Sequence, residues 1–265
     1  MKIGIIGIGV VGSAHKFGFE KLGHSVSFHD TAYDTKLEDV LDTEVVYICV
    51  PTPSKTNGDC DTTIVENVID DLIKQNYNGV ISIKSTIKPG TTKKLCITHN
   101  TSKICFCPEF LRERSAETDF IEHNTLLAIG TDDDEVYDVV KKSHGDYPKE
   151  HVRMSATESE ILKYYSNVYN AMRVIFANSM YELCNSFNAD YDIIKSSFVK
   201  RGTSTGKYLT VNEKWRGYGG FCLPKDTKAI ISLVEQLGLD LDLFKTIDNE
   251  NDKFLTTVPG GMRDE

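Results

Sequence analysis

The chain has 265 residues, 40% hydrophobic and 26% charged, with a formal net charge of −9. That length suits two domains, and the composition is that of an ordinary globular protein. The acidic balance argues against nucleic acid as a partner, because phosphate backbones would be repelled. No run approaches 18 consecutive apolar residues, which argues against a membrane span.

The amino-terminal "MKIGIIGIGVVGSAH" is apolar but studded with glycine, so it reads as a buried strand entering a turn rather than a secretion signal. A cytoplasmic location is therefore expected. After the first strand (2–6), further strands are predicted at 25–30, 44–50, 79–85, 103–108 and 126–130. Helical periodicity falls between them at 11–23, 62–76 and 133–144. This alternation predicts an α/β, Rossmann-type, doubly wound and mostly parallel sheet. From residue 155 the pattern changes. Residues 155–188 contain neither proline nor glycine and predict one long helix, with Ser155 or Thr157 as cap and Glu158 or Glu160 completing a capping box. Further helices are predicted at 189–201, 224–238 and 241–255, and residues 258–265 as a loose tail. The expected organisation is a dinucleotide-binding domain over 1–155 and an all-helical domain over 156–265, joined by the long helix, which is also expected to mediate a homodimer.

Gly7-Ile8-Gly9-Val10-Val11-Gly12 follows the first strand and opens the first helix, which is the G-x-G-x-x-G spacing of a phosphate-binding turn. Eighteen residues after Gly12, the second strand ends in Asp30. An acid there accepts hydrogen bonds from ribose hydroxyls and repels a 2′-phosphate, so the expected cofactor is NAD. Its contacts are expected from Gly7, Gly9, Val10, Val11, Gly12 and Asp30. Pro51, Thr52 and Thr86 should add to them from the ends of the third and fourth strands, where ligands of such sheets collect.

Seven cysteines, at 49, 60, 96, 105, 107, 184 and 222, show neither a disulfide framework nor metal-ligand spacing, and no metal site is expected. Six read as core filler. Cys222 sits in "GYGGFCLPKD", behind glycines that suit close approach of the backbone to a ligand.

Four motifs occur in order behind the phosphate turn: "VPTP", "KSTIKPGTT", "PEFLRE" and "GYGGFCLPKD". Together with "ILKYYSNVYNAMRVIFANSMYELC", they resemble the UDP-glucose/GDP-mannose dehydrogenase family over residues 1 to about 255. The resemblance implies NAD-dependent oxidation of a nucleotide-sugar primary alcohol, UDP-glucose foremost, to the acid by two hydride transfers. It implies Cys222 as nucleophile, Lys163 and Asn167 as stabilisers of the oxyanion, and Asp226 as an orienting carboxylate. Glu113 becomes the base for thioester hydrolysis, and Thr86 positions a water. It further implies substrate contacts from Glu109, Phe110, Leu111, Arg112, Lys163, Asn167, Tyr208, Gly217, Gly219 and Gly220. Members of the family carry a further carboxy-terminal α/β domain for which this sequence has no room after Cys222. The expectation is that a separate chain supplies it, that the chain is a truncated form, or that the substrate is held differently. Two rival readings stand beside the enzyme: a catalytically silent, NAD-binding homologue, and a two-electron hydroxy-acid dehydrogenase that needs no cysteine.

Overall fold

A computed structural model describes residues 1–254 of the chain. They divide into two compact units, the first made of Met1–Pro53 and Cys60–Lys163, the second of Ser54–Asp59 and the residues from Tyr164 onward.

The first unit is built on seven strands: β1 (Lys2–Ile6), β2 (Ser25–His29), β3 (Val45–Ile48), β4 (Val80–Ile83), β5 (Ile104–Phe106), β6 (Leu126–Gly130) and β7 (Glu150–Met154). Their order is β2-β1-β3-β4-β5-β6-β7. Every neighbouring pair is parallel except β5 and β6. The helices of this unit are α1 (Val10–Lys21), α2 (Thr63–Lys74), α3 (Thr91–Thr98), α4 (Ala116–Glu122) and α5 (Asp134–His144).

Alternation along the strands sends successive side chains to opposite faces. Val46, Ile48, Ile81 and Ile83 join Val65, Ile69 and Leu72 of α2 in one core. Val45, Tyr47, Cys105 and Cys107 join Phe19 of α1, Phe120 of α4 and Val136 and Val140 of α5 in another. Both faces are thus covered, as a doubly wound sheet requires. Gly18 lets α1 and α4 approach, since a Cβ there would lie 2.0 Å from the Phe120 ring.

Three elements were not expected. Strand β7 has the polar sequence EHVRM and buries none of its residues fully, so it carries no apolar signal. Helices α3 and α4 lie within segments whose Pro-marked, polar composition reads as loop.

α6 (Ala156–Ser186) is one continuous helix of 31 residues, about 46 Å long at 1.5 Å per residue. Ser155 starts it: its Oγ accepts from the Glu158 N–H at 3.3 Å, and the Glu158 carboxylate accepts from the Ser155 N–H at 2.7 Å. This is a reciprocal capping box. Within the first unit, Glu160 is fully buried and accepts from the N–H groups of Gly90 and Thr92 and from the Thr92 hydroxyl, at 2.5, 2.8 and 2.6 Å.

The second unit is helical, with α7 (Tyr191–Lys200), α8 (Leu223–Gln236) and α9 (Leu243–Asn251) packed along the rest of α6. Val168, Ala171, Val174 and Ile175 of α6 meet Tyr218 and Ile247 in one cluster. Ala177 and Cys184 meet Tyr191, Leu209 and Val211 in another. The last residue of the expected helix 241–255 and the expected tail lie outside the described residues. Among the described residues, no helix is long and apolar enough to cross a membrane.

His15 and His144 are buried in the first unit's second core, among the rings of Phe19, Tyr47 and Phe120. Burial, and after it the charge of Lys84, holds both imidazoles below their ordinary value. In the unfolded chain each takes a proton near pH ~6.5, whereas the folded sites resist it. Their contribution to stability is therefore present above that pH and is lost as the pH falls toward the folded values. The melting temperature is expected to drop between about pH 7.5 and about pH 5.5. His144→Phe, which keeps a ring stacked on Phe120, should shrink that drop. A drop of unchanged size by differential scanning calorimetry would show that His144 is not its source.

Candidate active site

In the first unit, β1 runs into the glycine turn. Gly7 takes φ +92°, and its N–H donates to the His29 carbonyl at 2.9 Å. A Cβ on Gly7 would stand 2.8 Å from the Cys49 carbonyl oxygen, and one on Gly12 only 1.9 Å from the Gly7 carbonyl oxygen. Gly9 caps α1, and a Cβ there would meet nothing within 4 Å. The first turn of α1 contains no acid, so its N–H groups and dipole favour an anion.

Asp30 reaches back to this turn. Its carboxylate accepts from the Ile8 N–H at 2.6 Å and the Ala32 N–H at 2.8 Å. These two bonds, that from Ala32 first, hold it below the usual carboxylate range. A carboxylate has about four acceptor positions, which leaves capacity for ribose hydroxyls. The open N–H groups at the start of α1 and the spare acceptor capacity of Asp30 suit a dinucleotide.

The ends of β3 and β4 are tied together by Ser85, whose hydroxyl donates to the Val50 carbonyl at 2.7 Å. Pro51 is exposed, Thr52 buried and Thr86 half-buried on these exits. The Thr86 carbonyl accepts from the Cys60 thiol at 3.3 Å.

After β5, Glu109 turns its carboxylate inward. Oε1 accepts from the N–H groups of Phe110 and Leu111 at 2.8 and 3.1 Å. Oε2 lies 3.0 Å from His15 Nε2 and 3.4 Å from Lys84 Nζ. Burial alone would raise this carboxyl; Lys84 and His15 outweigh it and hold the group well below the usual carboxylate range. The carbonyl oxygen of Glu109 faces the other way and accepts from Lys163 Nζ. That ammonium also lies 5.6 Å from the centre of the Phe110 ring. Arg112 is bound to Asp119 through two side-chain bonds, 2.9 Å from Nε and 2.6 Å from Nη2. Glu113 is half-buried in a 3-10 turn over Glu113–Ser115.

In the second unit, Cys222 is exposed and occupies the N-cap of α8. Its carbonyl accepts from the Asp226 N–H at 2.9 Å. Asp226 is fully buried; its carboxylate accepts from Asn167 Nδ2 and from Lys225 Nζ, each at 2.5 Å. Asp226 thus meets Cys222 through its backbone N–H and Asn167 through its carboxylate. The loop before the cysteine turns at Gly217 (φ +64°) and Gly220 (φ +77°), while Gly219 between them is half-buried.

Two asparagines absent from the sequence expectations hold that loop. Asn178 Oδ1 accepts from Arg216 Nε at 2.9 Å and the Gly217 N–H at 3.3 Å. Asn251, the last residue of α9, accepts from the Tyr218 N–H at 2.7 Å and donates to the Tyr218 carbonyl at 3.0 Å. Tyr208 takes φ +65°, and the Arg173 guanidinium lies 4.9 Å from its ring centre. Among the described residues, no group of three or more His, Cys, Asp or Glu side chains is placed to hold a metal ion.

A doubly wound sheet with a glycine turn after β1 and an acid at the end of β2 is the architecture of the dinucleotide-binding class of proteins. Residues 29–146 match the NAD binding domain of the UDP-glucose/GDP-mannose dehydrogenase family, and residues 157–253 match its central domain. The chain belongs to the UDP-glucose/GDP-mannose dehydrogenase family, and its cofactor is NAD. It is 31% identical to a UDP-glucose 6-dehydrogenase of Campylobacter jejuni, over 97% of this chain and 74% of that protein. It is 26% identical to a UDP-glucose 6-dehydrogenase of Rickettsia felis, over 99% of this chain and 69% of that one. The solved UDP-glucose dehydrogenase of Pyrobaculum islandicum superposes with a TM-score of 0.84 at 26% identity, over 95% of this chain and 68% of that one.

Gly12 admits no side chain while α1 keeps its place against Gly7. Gly12→Ala should weaken NAD binding at least about ten-fold. Isothermal calorimetry reads this directly, and an affinity equal to that of the unaltered chain would refute the role given to the glycine turn.

Proposed function

We propose that the chain oxidises the primary alcohol of a nucleotide sugar, UDP-glucose foremost, to the carboxylate through a covalent adduct on Cys222. The observation that carries this reading is an exposed thiol at the N-cap of α8, one turn before Asp226, whose buried carboxylate accepts from Asn167. Partial positive charge at a helix N-terminus favours the thiolate. NAD, when bound, accepts one hydride from C6 in each of two successive oxidations.

The first oxidation leaves an aldehyde, the alcohol proton passing to a base. The Cys222 thiolate then adds to that carbonyl carbon: a C–S bond forms and the carbonyl π pair becomes an oxyanion. Lys163 and Asn167, one turn apart on α6, are the donors assigned to it. Loss of the second hydride from C6 gives a thioester. Water, activated by Glu113 and oriented by Thr86, adds to it; the C–S bond breaks, the thiolate is regenerated and the carboxylate leaves. Tyr208, Gly217, Gly219 and Gly220 are assigned to the nucleotide sugar, together with the Phe110–Arg112 segment, where Arg112 contributes its backbone because Asp119 holds its guanidinium.

Two NADH should form per sugar consumed, measured against UDP-glucose, UDP-N-acetylhexosamines and GDP-mannose. Cys222→Ser should lower acid formation at least about a thousand-fold. One NADH per turnover with an unaffected Cys222→Ser variant would replace this reading by a hydroxy-acid dehydrogenase. Binding of NAD with no NADH from any nucleotide sugar would mark a silent homologue.

The chain is further assigned to a homodimer built on α6. Tyr165, Tyr169, Phe176 and Leu183 are exposed along that helix and Phe187 just past its end, with Phe176 at 56% and Phe187 at 76%. Their spacings of four and seven residues place them in one stripe, which a second copy of the same helix can cover. Light scattering is expected to give twice the chain mass, and Tyr169→Glu/Phe176→Glu should give the monomer. A monomeric unaltered chain would dispose of the dimer.

A further inference from the structure

Glu160 lies in the second turn of α6 and is fully buried. Other buried carboxylates meet a cation: Arg112 faces Asp119, Lys225 faces Asp226 and Lys84 faces Glu109. The donors to Glu160 are neutral, namely the N–H groups of Gly90 and Thr92 and the Thr92 hydroxyl. All three belong to the start of α3, where the first N–H groups of a helix have no intrahelical acceptor. Gly90 is the N-cap and has no side chain to offer them; its φ of +92° is a left-handed conformation that glycine adopts freely. Glu160 takes the place of the missing cap, and the positive end of α3 faces its charge.

The segment between β4 and α3 carries Thr86, the residue assigned above to the water that attacks the thioester. Ser85 ties its near end: the Ser85 N–H donates to the Ile48 carbonyl at 3.1 Å, and the hydroxyl donates to the Val50 carbonyl. Thr86 comes next, and its carbonyl accepts from the Cys60 thiol, a weak donor. Glu160 ties the far end. A segment fastened at both ends keeps the side chains between them in place, and cutting one tie lets it open locally. Lys163 stands three residues after Glu160, on the same side of α6. One carboxylate thus gives Thr86 and Lys163 a common support.

We propose that Glu160 is a positioning residue, which by capping α3 holds the Thr86-bearing segment against the start of α6 and so governs hydrolysis of the thioester. The kinetic part of this inference rests on the reaction proposed above. When Glu160 is changed, α6 keeps its own hydrogen-bond ladder, so Lys163 stays in place and hydride transfer is spared. What is lost is the setting of Thr86. The defect falls on the last step, in which water adds to the thioester carbon and gives a proton to Glu113, the C–S bond breaks, and the electron pair returns to the Cys222 thiolate.

The test compares Glu160→Gln, Thr92→Val and the two combined in the full chain. Glutamine keeps the shape of Glu160 but turns an amide donor toward a group that also donates. Valine keeps the volume of Thr92 without its hydroxyl. The first readout is hydrogen exchange, by mass spectrometry, of the peptides covering 84–92, with those covering α2 as control. Glu160→Gln should speed exchange over 84–92 at least about ten-fold and leave α2 within about two-fold of the unaltered chain. Thr92→Val should speed it at least about three-fold, and the combined variant should match Glu160→Gln within about two-fold, because both changes cut one contact. The second readout is rapid mixing with NAD and the nucleotide sugar. In Glu160→Gln the initial burst of NADH should keep its rate within about three-fold, while steady turnover falls at least about ten-fold and a covalent adduct accumulates on the Cys222 peptide. Unchanged exchange over 84–92 would overturn the clasp. Burst and steady rates that fall together, with no adduct, would overturn the positioning role. Should Glu160→Gln fail to fold, Thr92→Val decides by the same two readouts. If the unaltered chain forms no NADH, the reaction proposed above fails, and exchange alone decides the clasp.

Discussion

Helix α1 can leave β1 as it does only because residue 12 lacks a side chain. The Gly7 carbonyl occupies the place where a Cβ would sit, 1.9 Å from it. That contact aims the first turn of α1, brings Asp30 to the Ile8 N–H, and seats Phe19 in the aromatic core with Phe120 and His144. It also carries His15 inward, three residues further along the helix. The shape of the glycine turn and one wall of the hydrophobic core are two results of a single backbone approach.

Buried carboxylates are the second organising device. Glu160 stitches the start of α6 to the Gly90–Thr92 segment. Asp119 holds Arg112 and its backbone N–H. Asp226 joins Asn167 to the turn that bears Cys222. Glu109 faces Lys84 and His15. In each case an anion withdrawn from water is matched by several donors, as the cost of burying charge demands. Each also fastens an irregular segment that has no ladder of its own. Order in these loops comes from side chains that the solvent barely reaches.

The sheet was largely readable because its strands are apolar runs bounded by glycine and its helices carry a 3.6-residue period. The capping box of Ser155 and Glu158 marked the start of α6 within a residue. β7 escaped because an edge strand with polar side chains has no hydrophobic alternation to detect. α3 and α4 escaped because they open on Thr91-Thr92-Lys93-Lys94 and Ala116-Glu117-Thr118-Asp119, which local pattern cannot separate from loop. The surroundings of Glu109 were illegible for a different reason. Residues 15, 84 and 109 are neighbours only because β4 pairs with β5 and α1 packs on that face. No local spacing records such a meeting. Asn178 and Asn251 belong to the same class: two amides on different helices, recognisable only once the loop they grip is seen.

The grip of Asn251 on Tyr218 has a consequence for how the chain is partitioned. It holds both the N–H and the carbonyl of one residue, in the manner of a neighbouring strand, yet it comes from the final position of α9. The shape of the cysteine loop is therefore specified some thirty residues downstream of the cysteine, by a side chain without chemistry of its own. The smallest fragment that retains the Cys222 thiol in its native setting extends through residue 251, and the end of α9 is as much a part of that segment as the glycines preceding the thiol.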